Sequence, residues 1–425
     1  MNILLLGSGG RECTLAWKMS QSPLCQKLWI APGNAGTLNY GQNIDIQPTD
    51  FEAVKKICIE ENIDILFPGN EDPLVSGIYD FIKTDPDLRH IIVVGPSKDG
   101  AILEGSKAFS KAFMQRHDIP TAAYAEFDKE NYEQGIEYIR NHQLPIVLKA
   151  DGLAAGKGVI IALDTQTALD TYKEMIRESM FGSAGEKVVI ESFLTGIELS
   201  VFAFTDGTNY LILPEAKDYK RIGEGDTGPN TGGMGAVSPL PFADDDFMKK
   251  VVDRIVDPTV KGLAEEGRFY QGFIFFGLIN VEGNPIVIEY NCRMGDPETE
   301  VVIPRIKNDL VELILSMNEK KLDEVSLDID PRAAATVMLV AQGYPGNYEK
   351  GKVISGINAV TDSIVFHAGT RSDNGQIFTN GGRVMAVTSY GAHIQDALHQ
   401  SYHSIASVEF EGKTFRKDIG YEFIG

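Results

Sequence analysis

No apolar run in this chain approaches the ~20 residues that a membrane-spanning helix needs. Its four cysteines, Cys13, Cys25, Cys58 and Cys292, form no CxxC pair and no zinc spacing. A disulfide scaffold and a cysteine-bound zinc centre are thereby excluded, and a reduced compartment is implied. The seven histidines include no HExxH pair, and no serine sits in a GxSxG elbow, so zincin chemistry and covalent serine catalysis lack their residues. Basic charge is scarce: 39 Lys and Arg against 60 Asp and Glu give a net charge of −21, which argues against a nucleic-acid partner. The opening MNILLLGSGG has no basic flank and runs into a glycine turn, so it reads as a first strand and not as a secretory leader. Low-complexity tracts and fixed-period repeats are missing too. The expectation is a cytoplasmic enzyme with neither membrane nor nucleic acid as partner.

What is present is a globular composition, 43% hydrophobic and 23% charged, on 425 residues, enough for two to four domains. Residues 1–105 alternate short apolar strands (Ile3–Leu6, Leu28–Ala31, Asp64–Pro68, Ile91–Gly95) with helical stretches, and three of the four strands run into the glycine turns GSGGRE, PGNAG and PGNEDP. This is the alternation of a doubly wound parallel sheet, whose ligands sit beyond the carboxyl ends of the strands. Glu12 stands where a dinucleotide fingerprint would have its third glycine, so Gly9, Gly10 and Arg11 read as an anion site at a helix N-terminus or as plain turn residues. A helical segment at 106–122 precedes a compact α/β stretch, with helices predicted at Tyr132–His142 and Ala168–Ser179 and strands at Ile146–Lys149, Val159–Leu163 and Val188–Glu191. A hairpin is expected from Phe273–Asn280 and Pro285–Asn291. Beyond 331 the chain is β-rich and glycine-punctuated, as a small sheet or partial barrel would be.

Chemistry concentrates in a few places. In VIEYNCRMGDPET, Val287, Glu289 and Asn291 fall on one face of a strand and Ile286, Ile288 and Tyr290 on the other. Glu289 and Asn291 together offer a carboxylate and an amide oxygen, a donor set suited to Mg²⁺ beside phosphates, while a merely solvated hairpin is the competing reading. Arg293 follows as a fixed cation. Cys292 reads as packed, not nucleophilic. KADGLAAGKGV sets Lys149 and Lys157 among small residues whose backbone N–H groups can approach phosphates. VVIESFLTGIE is a strand, a hinge and a second acid, Glu198. The stretch Asp218–Ser238, DYKRIGEGDTGPNTGGMGAVS, reads as a long irregular loop too glycine-dense for stable helix or strand. In it, Asp218, Lys220 and Arg221 are candidates to hold an anionic substrate.

The motifs GSGGRE, APGNAGT, LEGSKAF, KADGLAAGKGV, DTGPNTGGMGA and NCRMGDPET, in this order across essentially the whole chain, closely resemble the phosphoribosylamine–glycine ligase family of the ATP-grasp superfamily. The resemblance implies an ATP-grasp fold, α/β and α+β in several domains. An N-terminal doubly wound parallel-sheet domain would span 1–105, a large lobe 106–122 with 192–330, a small lobe or flap 123–191, and a C-terminal β-rich domain 331–425. It also implies ATP-dependent ligation of glycine to 5-phosphoribosylamine through glycyl phosphate in purine biosynthesis, with Mg²⁺ or Mn²⁺, by a monomer or weak homodimer.

By the same resemblance Lys107, Lys149, Gly152, Gly156, Lys157 and Gly158 would hold ATP phosphates. Glu191 and Leu194 would flank adenine, Glu198 the ribose, and Glu289 and Asn291 the metal. Arg293, with Lys107 and Lys149, would serve catalysis near Asp296, Pro297, Glu298 and Thr299. Gly9, Gly10, Arg11, Asp218, Lys220, Arg221, Gly232, Gly233 and Met234 would face phosphoribosylamine. Against the family pattern, Cys13 stands where His is usual, removing a titratable donor near the amine substrate, and Met294 replaces Phe. Gly277 and Leu278 lie where many ATP-grasp enzymes carry a second metal carboxylate, which leaves the number of metals open.

Overall fold

The four short apolar runs of the N-terminal segment form a parallel sheet in the computed structural model, which describes residues 1–153, 158–178 and 180–423. Its order is Gln42–Asn43, Lys27–Pro32, Asn2–Gly7, Ile65–Pro68, Ile92–Val93. Ile3 to Leu6 are wholly buried, as expected of parallel strands covered on both faces. The fifth strand, Gln42–Asn43, is a two-residue edge with no apolar run to announce it. Helix Gly10–Met19 follows the first strand. Its entry is fixed by Glu12, whose carboxylate accepts the Gly9 N–H at 2.6 Å.

A four-stranded antiparallel sheet, ordered Tyr124–Asp128, Lys187–Ser192, Ile146–Ala150, Val159–Ala162, carries helices Tyr132–Asn141 and Thr165–Ile176. These enclose a separate core of Ile139, Ile146, Leu148, Tyr172, Val188 and Ile190. The second helix begins three residues before the expected Ala168, because Asp164 caps the Thr167 N–H.

The remaining strands build one nine-stranded sheet. From its free edge the order runs Asn284–Asn291, Gly272–Val281, Ile197–Thr205, Tyr210–Asp218, Gly235–Ser238, Ala333–Ala341, Arg383–Gly391, Ile364–His367, with Lys413–Thr414 also pairing to Ala333–Ala341. This corrects two expectations. Past residue 331, only Val353–Ile354, Thr370–Asp373 and Gln376–Thr379 form a small sheet of their own; the other strands extend the central sheet. The expected irregular loop at 218–238 instead contains a hairpin, Arg221–Gly223 with Thr227–Asn230, and the sheet strand Gly235–Ser238. Neighbouring strands supply the hydrogen bonds that overcome the poor local propensity of its glycines.

A third correction concerns the edge strand. A bulge at Ile288 shifts the register between Gly277–Glu289 and Leu278–Val287. Pro285, Val287 and Tyr290 therefore point into the core while Ile286 and Ile288 are half-exposed, so strict alternation fails. Among the described residues no helix is long and apolar enough to cross a membrane.

Candidate functional site

Glu289 and Asn291 stand half-buried at the end of the sheet's edge strand. Among the described residues neither side chain is engaged in a hydrogen bond or ion pair. Glu289 lies opposite Gly277, where a Cβ would come within 2.9 Å of Glu289 Cγ, so the glycine leaves the carboxylate its room. No second carboxylate adjoins it along the register, since Gly277 pairs next with Ser200. The described residues hold no cluster of three or more His, Cys, Asp or Glu side chains that could coordinate an ion. Two oxygen donors with the rest of the shell open fit a cation that shares its ligands with phosphates and water.

Lysines converge from two other segments. Helix Lys107–Arg116 starts at Ser106, and Asp151 joins its cap by accepting the Ala108 N–H at 2.7 Å and the Ser106 hydroxyl at 3.0 Å. LEGSKAF and KADG are thus one unit, with Lys107 Nζ donating to Gly152 O at 3.1 Å. Burial lowers the Lys107 ammonium from its ordinary value against the pull of Glu289, and the Lys149 cation lowers it further. Lys149 is buried and donates to Ile288 O at 3.1 Å.

Glu191, also buried, sits between Lys149 Nζ at 2.9 Å and Lys111 Nζ at 3.0 Å. Burial brings Lys111 down to about 8 despite Glu191. The sequence reading missed Lys111, although it lies four residues from Lys107 on one helix. Gly158 O accepts the Ala150 N–H at 2.8 Å; Leu194 lies half-buried in the stretch between two strands. Gly156 and Lys157 fall outside the described residues.

Lys220 joins Glu198, 3.0 Å away, to Asp218, 3.9 Å away. Burial opposes its charge, but Asp218, Glu198 and Glu289 together raise it well above the ordinary lysine value. Lys220 in turn lowers Glu198. Buried Glu298, which accepts from Ser200 Oγ at 2.9 Å, is pushed up to about 7 by desolvation and then by Asp218. Lys220 is thus grouped with the acids of the Glu289 region. Arg221 points elsewhere, donating to Gly228 O at 2.8 Å within its own hairpin.

Arg293 is held from two sides. Its Nε donates to Glu71 Oε2 at 3.1 Å, and its Nη2 lies 3.0 Å from Glu104 Oε1. Glu104 Oε2 accepts the Cys292 N–H at 2.8 Å and the Cys292 thiol at 3.1 Å. Burial works to raise Glu71, yet Arg293 and Arg11 bring it down to about 2; in Glu104 burial wins and the carboxyl is raised. Both acids lie in quoted motifs, PGNEDP and LEGSKAF, but nothing in local spacing assigned them a partner. Cys292 is packed.

Behind Arg293, Arg11 donates from Nη1 to Met294 O at 3.1 Å and pairs through Nε with Glu12 at 2.7 Å. Gly10 packs on the Glu300 carboxyl, which is fully buried, has no hydrogen-bond partner among the described residues and is raised by that burial and by Asp296. Arg383 fastens the next turn, donating to Gly232 O at 2.6 Å and Asp296 O at 2.8 Å and pairing as an ion with Asp296 Oδ1 at 2.8 Å. A Cβ on Gly232 would lie 3.0 Å from that guanidinium. The Gly232 N–H donates to the Tyr344 hydroxyl and the Gly233 N–H to Thr231 Oγ1, both at 2.9 Å. Pro297 packs against Gly233, while Met234 and Thr299 are buried. Arg383 too escaped the sequence reading, since 87 positions separate it from Asp296. Cys13 is wholly buried, with its thiol pushed up to about 12 by desolvation. It is a core residue and exposes no titratable group to a ligand.

A small antiparallel sheet set against the edge of a large one, with lysines between them and oxygen donors at the strand end, defines an ATP-grasp ligase. The likeness extends to biotin carboxylase from Campylobacter jejuni, a fold match with TM-score 0.73 at 14% identity over 99% of this chain and 94% of that one. The sequence matches the phosphoribosylglycinamide synthetase N domain over residues 1–104, its ATP-grasp (A) domain over 105–299 and its C domain over 334–422. It is 46% identical to the phosphoribosylamine–glycine ligase of Vibrio cholerae, over 100% of this chain and 99% of that protein. The crystal structure of phosphoribosylamine–glycine ligase from Thermotoga maritima matches with TM-score 0.86 at 34% identity, covering 98% of this chain and 100% of that one. The chain belongs to the phosphoribosylamine–glycine ligase family.

Proposed function

We propose that this ligase joins glycine to 5-phosphoribosylamine with ATP, giving glycinamide ribonucleotide, ADP and phosphate, as a cytoplasmic enzyme of purine biosynthesis. The observation that carries the reading is the Glu289–Asn291 pair, unengaged among the described residues, with Glu289 close enough to Lys107 and Lys220 to favour their charged forms. A carboxylate does not condense with an amine at neutral pH, so glycine needs activation. A glycine oxygen attacks the γ-phosphorus of ATP, the bond to the β-bridging oxygen breaks, and ADP leaves. The amine nitrogen then attacks the acyl carbon of glycyl phosphate, phosphate departs and the nitrogen loses a proton.

Such chemistry is chiefly positioning and charge neutralisation. Lys107 and Lys149 act on the ATP phosphates, and Arg293 offers its planar fork to the acyl phosphate. Glu289 and Asn291 would hold Mg²⁺ or Mn²⁺, which when bound neutralises phosphate charge. Glu198 with Lys220 lies toward the nucleotide ribose. Arg11, Asp218 and the turn Asp296–Thr299 lie toward the amine substrate. The division into an N-terminal domain, two ATP-grasp lobes and a C-terminal β-rich domain assigns acceptor and nucleotide to different segments, in a monomer or weak homodimer.

The test is ADP release from Mg·ATP with glycine or 5-phosphoribosylamine, made in situ, omitted in turn. ADP that requires both substrates and the metal supports the reading. ADP that requires neither, or no ADP despite ATP binding, overturns it.

A further inference from the structure

We propose that Glu104 is a positioning residue for Arg293, with Glu71 as its second jaw, so that two carboxylates from separate segments fix which N–H groups the guanidinium presents. The inference rests on the ligase reading above, which gives Arg293 the acyl phosphate. Glu71 opens the helix after strand Ile65–Pro68 of the N-terminal sheet, and Glu104 lies in the last turn of helix Lys98–Gly105, which precedes the helix that Lys107 begins. Their side chains are 28% and 6% exposed. Glu71 takes Nε and Glu104 takes Nη2, so two of the three guanidinium nitrogens are engaged by carboxylates from separate segments. The remaining nitrogen, Nη1, makes only a 3.3 Å bond to Met294 O among the described residues. Glu104 is itself immobilised by the Cys292 N–H and thiol, which ties the jaw to the strand that carries Glu289 and Asn291.

Two carboxylates on one guanidinium cancel more positive charge than Arg293 supplies. Its service to an anionic intermediate is therefore directional, and the lysines supply the charge. The consequence is a split that a purely structural role would not give. Glu104→Gln removes a negative charge near the phosphates, so Mg·ATP binding holds or tightens, while the loosened fork slows the chemistry. Misplacement of about 1 Å costs on the order of a hundredfold in rate.

The experiment compares wild type, Glu104→Gln and Glu71→Gln by steady-state ADP release and, with no substrate present, by the ¹⁵N–¹H signal of the Arg293 Nε–H. The expected result is a kcat lowered roughly ten- to a hundredfold in Glu104→Gln with the KM for Mg·ATP unchanged or smaller. A smaller fall is expected in the more exposed Glu71→Gln. In both variants the Nε–H should exchange faster with solvent than in wild type. Wild-type kcat in both variants, or unchanged Nε–H exchange, overturns the proposal. So does a kcat loss matched by a rise in KM and a collapse of the thermal midpoint. Wild type that fails to release ADP with both substrates defeats the ligase reading instead, and the Nε–H signal still decides the positioning claim.

Discussion

Glu289 and Arg293 sit four residues apart at one strand end, yet their surroundings differ in kind. Around Glu289 the structure withholds partners. Gly277 contributes no side chain, Asn291 adds no charge, and among the described residues the carboxylate is left unpaired. Around Arg293 it supplies them, with Glu71, Glu104 and the Met294 carbonyl on one guanidinium. A group that must take a ligand is kept free of competing protein contacts, whereas a group that must point in one direction is held by them. The turn at Gly9–Glu12 belongs with the second kind. Its Gly9 N–H already donates to Glu12 and its Arg11 N–H to Asp296 at 3.4 Å, so fewer backbone donors remain for an anion than the bare sequence suggests.

The contrast can be broken most sharply at the free side. Glu289→Ala removes one of two oxygen donors and should lower ADP formation by about a thousandfold or more, the scale expected when charge stabilisation at the reacting phosphate is lost. Turnover within tenfold of wild type at saturating Mg²⁺ would contradict the assignment. Next in size is Gly277→Ala. Its Cβ would sit 2.9 Å from Glu289 Cγ and displace the carboxylate, so half-saturation by Mg²⁺ should rise roughly tenfold with little change in thermal midpoint. An unchanged metal dependence would mean that the room beside Glu289 does not matter.

The smallest effect lies on the held side and concerns stability. Glu71 is brought from an ordinary carboxylate value down to about 2, burial being outweighed by Arg293 and Arg11. Its contribution is therefore complete above the unfolded value near 4.5 and fades as pH falls toward 2. Glu71→Gln should unfold at a lower temperature than wild type at pH 7, by the equivalent of up to about 2 kcal/mol, and the gap should narrow as pH falls below 4.5 and close only near pH 2. A gap independent of pH would show that Glu71 acts by packing alone.

How much was readable in advance varied with the range of the contact. Four of the five strands of the N-terminal sheet were legible because parallel strands buried on both faces appear as unbroken apolar runs, which the edge pair Gln42–Asn43 lacks. The hairpin was legible from its turn, but the bulge at Ile288 was not, since a one-residue slip leaves no compositional trace and depends on what packs beneath Val287 and Tyr290. Likewise the glycine-rich 218–238 stretch looked structureless by propensity, yet Gly235–Ser238 became a strand because the sheet accepted it, and Arg221–Gly223 with Thr227–Asn230 pair on each other.

By itself the sequence determined the chemistry that could occur. It contained the Glu-x-Asn pair and the lysines beside glycine turns, and it lacked the residues for zinc, serine and disulfide chemistry. Motif order across the whole chain was enough to point to the family. Only the tertiary structure decided which of those residues stay free and which are held. Glu71, Glu104 and Arg293 lie up to 222 positions apart, as do Arg383 and Asp296 at 87. Ion pairs of this kind follow from how sheets and helices close on one another, and no local spacing encodes them.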